Sequence, residues 1–350
     1  MRRSFLPFLG MLVLVLTTTG LAVNVGTGVG IDLETEDFKP LIWMCDHRIV
    51  LDDNVEPGRI TNGGEEMYER LNNYAFTGEQ IQWFVLVMDK NGVEKIKDVY
   101  VAVGEQGSPD YIEANCELTD GPDTIPDECN ARIGEEQLTT FDPTTMAYYV
   151  CTFTVEAGMH GEYWVHAVVE DLDDQTTTVD EDEYWFLNPE IGIKVEGSIS
   201  FGEVRPGTVA YSPTILVKNA AEEGSGVMLD MFISGTDFYD PAHSGAKCPD
   251  SNVLELTNFA YYAVNGAYST LDDPRADAEG YVGINYGDHF DSTFYNNNEI
   301  LQVQQVGGTY YAANVLAPGA EMSLTFRLSL PEPCNGDFTD GNIYFWGEAI

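Results

Sequence analysis

The stretch QIQWFVLVMD (Gln80–Asp89), continuing through KNGV (Lys90–Val93) into EKIKDVYVAVG (Glu94–Gly104), decides the fold class. Two apolar runs flank Asn91-Gly92, and runs of this length bounded by turn residues read as strands. Asn-Gly between them predicts a two-residue hairpin, because both central positions need positive φ. Outward from this point the strand pattern repeats in AYYVCTFTV (Ala147–Val155), GEYWVHAVVED (Gly161–Asp171) and DEYWFLN (Asp182–Asn188). Helical character is confined to EEMYERLNNYAF (Glu65–Phe76), for one or two turns.

The chain has 350 residues, 58 acidic and 16 basic, with a formal net charge of −42. That field repels nucleic acid and anionic lipid head groups, so neither is expected as a partner. Three sources of the acidity compete: divalent cation binding, a high-salt habitat, or a solvated acidic surface. The N-terminus has the form of a secretory signal: Arg2 and Arg3, an apolar run Phe5–Leu16, then Gly20 and Ala22 at the positions favoured before cleavage at Val23. The alternative is an uncleaved anchor over Phe5–Val25, which would be the membrane contact. Six cysteines in an exported chain favour disulfides, and no CxxC spacing suggests zinc. The division expected is Cys116–Cys129 and Cys45–Cys151 in the first half, and Cys248–Cys334 in the second.

Asn188–Ser198 reads as a boundary, because Asn188-Pro189 ends a strand. Before it, Trp83 lies mid-strand between Cys45 and Cys151, and Gly161-Glu162-Tyr163 opens a strand ending in an Asp-rich turn. Both features resemble extracellular immunoglobulin-like domains. After it, Phe201-Gly202-Glu203-Val204-Arg205-Pro206-Gly207-Thr208 with Val217-Lys218-Asn219 resembles the opening of the immunoglobulin-like modules called choice-of-anchor D or ASH-type. Leu316–Pro333 and Gly336–Gly347 resemble their later strands. The resemblance implies envelope or scaffold binding rather than catalysis. The expectation is therefore all-β: two immunoglobulin-like β-sandwich domains in tandem after a signal peptide. The segments are 1–22 for the signal, 23–32 for a glycine-rich arm, 33–190 for the first sandwich and 198–350 for the second. A tyrosine-rich insertion is expected at about 248–307.

No catalytic motif stands out. His160 and His166 are six apart with no pattern of further ligands. Calcium is the one cofactor the sequence raises: Asp171, Asp173 and Asp174 form the first candidate site. Further acid clusters lie at Asp120, Asp123, Asp127 and Glu128 and at Asp272, Asp273, Asp277 and Glu279. A solvated loop is the alternative in each case. Tyr261, Tyr262, Tyr268, Tyr281 and Tyr286 are the candidate binding face, since exposed tyrosines make adaptable contacts. The reading is an extracellular, structural or adhesive envelope protein without catalytic activity, whose partners are envelope components or copies of itself. A carbohydrate- or peptide-binding module is the alternative, and an extracellular hydrolase the third.

Overall fold

The structure, a computed structural model, describes residues 33–51, 66–67, 72–105, 111–130, 137–179, 183–242, 245–290, 297–306 and 310–350. The signal segment 1–22 and the arm 23–32 lie outside these. The first half carries β1 (Leu41–Leu51), β2 (Glu66–Met67), β3 (Tyr74–Ala75), β4 (Gln80–Met88) and β5 (Ile96–Glu105). It continues with β6 (Ile112–Thr119), β7 (Met146–Thr154), β8 (Gly161–Asp171), β9 (Thr176–Thr178) and β10 (Glu183–Leu187). Glu66–Met67 and Tyr74–Ala75 are strand, so the helical turns expected there do not form at the described residues.

The expected hairpin is also replaced. β4 pairs with β1 and β7, whereas β5 pairs with β6 and β8. Residues 90–95 therefore arch from one sheet to the other, through a short 3₁₀ turn at Val93–Lys95. The reason is the two-sided apolarity of β4. Trp83, Val85 and Val87 enter the main core, while Leu86 and Met88 enter a second cluster with Trp43, Ile125 and Leu138. A strand buried on both faces takes partners on both edges and a cover on each side. β6 links the sheets: Ile112–Asn115 pair with β5 and Asn115–Thr119 with β7. The hydrogen-bonded order thus folds over on itself, and Trp83 of β4 meets Trp185 of β10 edge-on at 6.1 Å.

The cysteines follow this geometry rather than the expected pairing. Cys45 bonds Cys129 and Cys116 bonds Cys151, instead of Cys45–Cys151 and Cys116–Cys129. Cys116 and Cys151 are directly opposed on β6 and β7. Cys45 points to the outer face of its sheet, where it ties down the covering segment around Cys129. The third bridge joins Cys248 to Cys334.

The second half carries β11 (Ile193–Glu196), β12 (Val209–Tyr211), β13 (Ile215–Asn219), β14 (Leu229–Gly235), β15 (Phe259–Asn265) and β16 (Tyr268–Ser269). It ends with β17 (Val282–Gly283), β18 (Gln305–Val306), β19 (Tyr310–Tyr311), β20 (Val315–Leu316), β21 (Glu321–Ser329) and β22 (Ile343–Ala349). One sheet runs β11-β13-β21-β15-β16, with β12 on β21 and β17 on β15. It faces a sheet of order β20-β14-β22. Val217, Tyr261, Leu324 and Phe326 from the first pack with Leu229, Met231 and Ile233 from the second. Within the stretch 248–307, β15 pairs with β21 from Phe259 to Val264. The halves are joined through Tyr74: β3 pairs with β10, yet the Tyr74 ring is buried in the second core and its hydroxyl donates to Ile350 O. Phe38–Ile350 forms one compact unit.

Candidate functional site

A groove of about 660 Å³ opens in the second half of the chain. Phe201, Val204, Phe238, Leu254, Phe259 and Phe338 are among its apolar lining residues, with the Phe201 and Phe238 rings both against Phe259. Ser200, Asn335 and Thr339 form a polar rim, and Asp337 is the one ionisable side chain among the described lining residues. The volume is that of a binding cleft, and its exposed lining is more polar than apolar.

The groove is framed rather than loose. The Cys248–Cys334 bridge pins one wall, and Lys247 and Asn335 exchange two backbone hydrogen bonds beside it. Asp240, only 5% exposed, accepts the N–H groups of Ala242 and Asp337 and fixes the loop entering β22. Gly341 lies so close that a β-carbon there would stand 2.6 Å from Asp237 O. Phe201 and Val204, two positions of the choice-of-anchor D-like motif, serve here as wall residues. The sequence reading missed the groove because its residues come from segments distant in the chain.

The groove opens beside the free edge of β22. The bonds Thr236 N–H to Asn342 O and Ile350 N–H to Met228 O set the phase of the β14–β22 ladder. In an antiparallel ladder, alternate residues turn their backbone groups outward. Ile343, Phe345 and Gly347 therefore face away from β14, and no strand pairs with that edge among the described residues.

The candidate tyrosines do not share one face. Tyr261 is fully buried and its hydroxyl donates to Ile300 O. Tyr268 bonds Gln304, and Tyr286 is exposed beside Gly235. Tyr262 and Tyr281 do meet, with ring centroids 5.8 Å apart, and Tyr211 lies 5.9 Å from Tyr281. The Arg327 guanidinium sits 4.4 Å over the Tyr281 ring, anchored by Asp277 and Glu279. Tyr211 and Arg327 escaped notice because only the β12–β21 register sets them opposite each other.

Two of the three acid clusters are internally engaged, whereas Asp120, Asp123 and Asp127 of the second are exposed. Asp171 is buried and accepts the N–H groups of Asp173 and Gln175, closing its own turn. Asp173 pairs with Lys95 and Asp174 with Lys97. Lys97 holds the Asp174 carboxyl below its usual range. The third cluster is split: Asp273 is clasped by Arg275 and Asp277 by Arg327. Burial opposes ionisation of Asp273, but Arg275 and nearby N–H groups hold its carboxyl low. Among the described residues no three His, Cys, Asp or Glu side chains are grouped to hold a metal ion. His160 pairs with Glu222, and His166 packs on Tyr111. Asp230 on β14 is pushed up to about 8 by burial, against the donated hydrogen bond of Asn314 and with Glu299 adding to the rise. It lies sealed under Asn314, away from the groove.

No family model matches the chain. An uncharacterized protein of Methanocaldococcus jannaschii is 23% identical over 303 residues, covering 81% of this chain and 75% of that one. Among solved structures, the C-terminal domain of the AgI/II polypeptide BspA of Streptococcus agalactiae aligns over 89% of this chain and 96% of its own, at 11% identity and a TM-score of 0.29. The C-terminal domain of the Streptococcus pyogenes antigen I/II-family protein AspA aligns over the same shares, at 10% identity and a TM-score of 0.29. Scores this low establish no shared fold, and the fold rests on the strand pairing itself.

Proposed function

We propose that this chain is an exported, non-catalytic protein of the cell surface that works by binding through the groove of its second half. The observation that carries the reading is the groove itself: aromatic and polar lining residues beside a disulfide and the buried Asp240, next to a strand edge that no strand pairs among the described residues. Such a site suits an extended segment with apolar side chains. Three disulfides support an oxidising location, and no helix among the described residues is long and apolar enough to cross a membrane. Fractionation of cells, with sequencing of the purified N-terminus, tests the assignment. The expected result is envelope or medium, a chain starting at Val23, and all six cysteines oxidised. A cytoplasmic protein with free thiols would refute it.

A second reading rests on Tyr211, Tyr262, Tyr281 and Arg327. Three phenol rings tilted against one another beside a cation form a platform on which a sugar ring could lie. A glycan array read with Tyr281→Ala as control separates the two: glycan signal lost in that variant favours this face over the groove.

A further inference from the structure

We infer that the open edge of β22 and the adjoining groove receive residues 23–33 of a second copy of this chain, joining copies head to tail. The inference rests on the surface-protein reading above and names its partner.

Two features of the edge ask for a strand. The outward backbone groups of Ile343, Phe345 and Gly347 have no strand opposite them among the described residues. The side chains of Ile343 and Phe345 point to the core yet stay only half-buried. β11, the edge strand of the facing sheet, carries Lys194 and Glu196, a common guard against pairing. β22 has no charge from Ile343 to Gly347.

The arm matches the edge in pattern. In VNVGTGVGIDL, Val23, Val25, Thr27, Val29, Ile31 and Leu33 alternate with Asn24, three glycines and Asp32. That is a strand period with one β-branched face and one nearly bare face. Added along β22, the branched face would continue the row of Ile343 and Phe345 into the groove. The bare face would lie beside Tyr344 and Trp346, whose rings are 5.6 Å apart on the outer side of β22. Aromatic side chains cover glycine on a neighbouring strand. Eleven residues at about 3.3 Å each outreach the seven of β22.

Charge selects the occupant. A chain of net charge −42 repels its own copies, and residues 23–31 are uncharged. Arm and edge form a neutral seam. Each copy offers one arm and one edge, two different segments, so the contact is heterologous and extends into a filament unless it closes.

The test uses the mature chain from Val23, a variant lacking 23–32, and Val25→Asp/Val29→Asp in the full arm. Both changes fall outside the compact unit Phe38–Ile350. Mass in solution should rise with concentration for the mature chain and stay monomeric for both variants. A synthetic peptide of residues 23–33 should bind the arm-deleted chain and slow amide exchange at Ile343, Phe345 and Gly347 at least about tenfold. The peptide carrying the two aspartates should do neither. Oligomers that persist without the arm would overturn the inference, as would peptide binding without protection of those amides. A monomer with those amides already protected would place the arm on its own edge and overturn joining between copies. None of these failures would remove the protein from the cell surface, which fractionation reads separately.

Discussion

Asp230 shows how one buried carboxyl shapes pH dependence. Its side chain is 4% exposed and is pushed up to about 8, whereas an unfolded aspartate titrates near 4. Between those values the folded chain holds a proton that the unfolded chain has lost. Stability from this group therefore falls as pH rises from about 4 to about 8, and is flat above. The slope is at most about 1.4 kcal/mol per pH unit. Asp230→Asn keeps an oxygen for the Asn314 amide, 2.7 Å away, and carries no charge. The variant should match the parent below about pH 4 and melt higher at pH 8. Thermal melts at the two pH values check this; equal pH dependence in both chains would contradict it. The carboxyl of Asp171 makes the opposite use of burial, since two backbone donors satisfy it within one turn. Sequence spacing marked Asp171, Asp173 and Asp174 as acids in a loop, but not that Lys95 from a turn and Lys97 from β5, 78 and 77 residues earlier in the chain, reach Asp173 and Asp174.

At the scale of elements, the arch between β4 and β5 carries the clearest consequence. Gly92 adopts φ 131° and ψ 145°, a region closed to residues with a β-carbon. Gly92→Ala should cost about 1–3 kcal/mol. Gly158→Ala, with nothing within 4 Å of the added carbon and no positive φ, is the control and should be close to neutral. Denaturant midpoints compare the two. Asn91-Gly92 was legible as a turn, because its backbone demand is local. The partners of the strands it joins were not legible. They depend on which faces of β4 are covered, and the cover comes from 120–142. The same limit applied to the cysteines: six of them were legible as bridges, but the pairing follows from β6 lying beside β7.

At the scale of the whole molecule, the two cores share a joint. Tyr74 belongs to a strand of the first half but is fully buried in the second core. Asn72 donates to Gly226 O and His160 pairs with Glu222 across the same seam. The halves should therefore melt together. Tyr74→Ala removes a ring of a size whose truncation typically costs about 3–5 kcal/mol, and should split one calorimetric transition into two. A single unsplit transition at the parent temperature would count against the joint. The global charge makes a further demand. With 58 acids against 16 bases, repulsion destabilises the compact chain, and salt screens it over about 10 Å at 0.1 M. The melting temperature should rise from 0.1 to about 1 M sodium chloride; a fall would mean that ion pairs such as Arg275–Asp273 outweigh the repulsion.

By itself the sequence determined the class of this protein. Strand-length apolar runs, turn residues between them and an even set of cysteines are local or countable properties, and each follows from the chemistry of nearby residues. The tertiary structure decided what those elements face. It put Tyr261 inside and Tyr262 beside Tyr281, on opposite sides of one strand. It assembled a groove from Phe201, Phe238, Phe259 and Phe338, and among the described residues it left β22 without a strand on its outer edge. Pairing and burial are contacts between distant segments, so they are settled only when both faces of every strand find their cover.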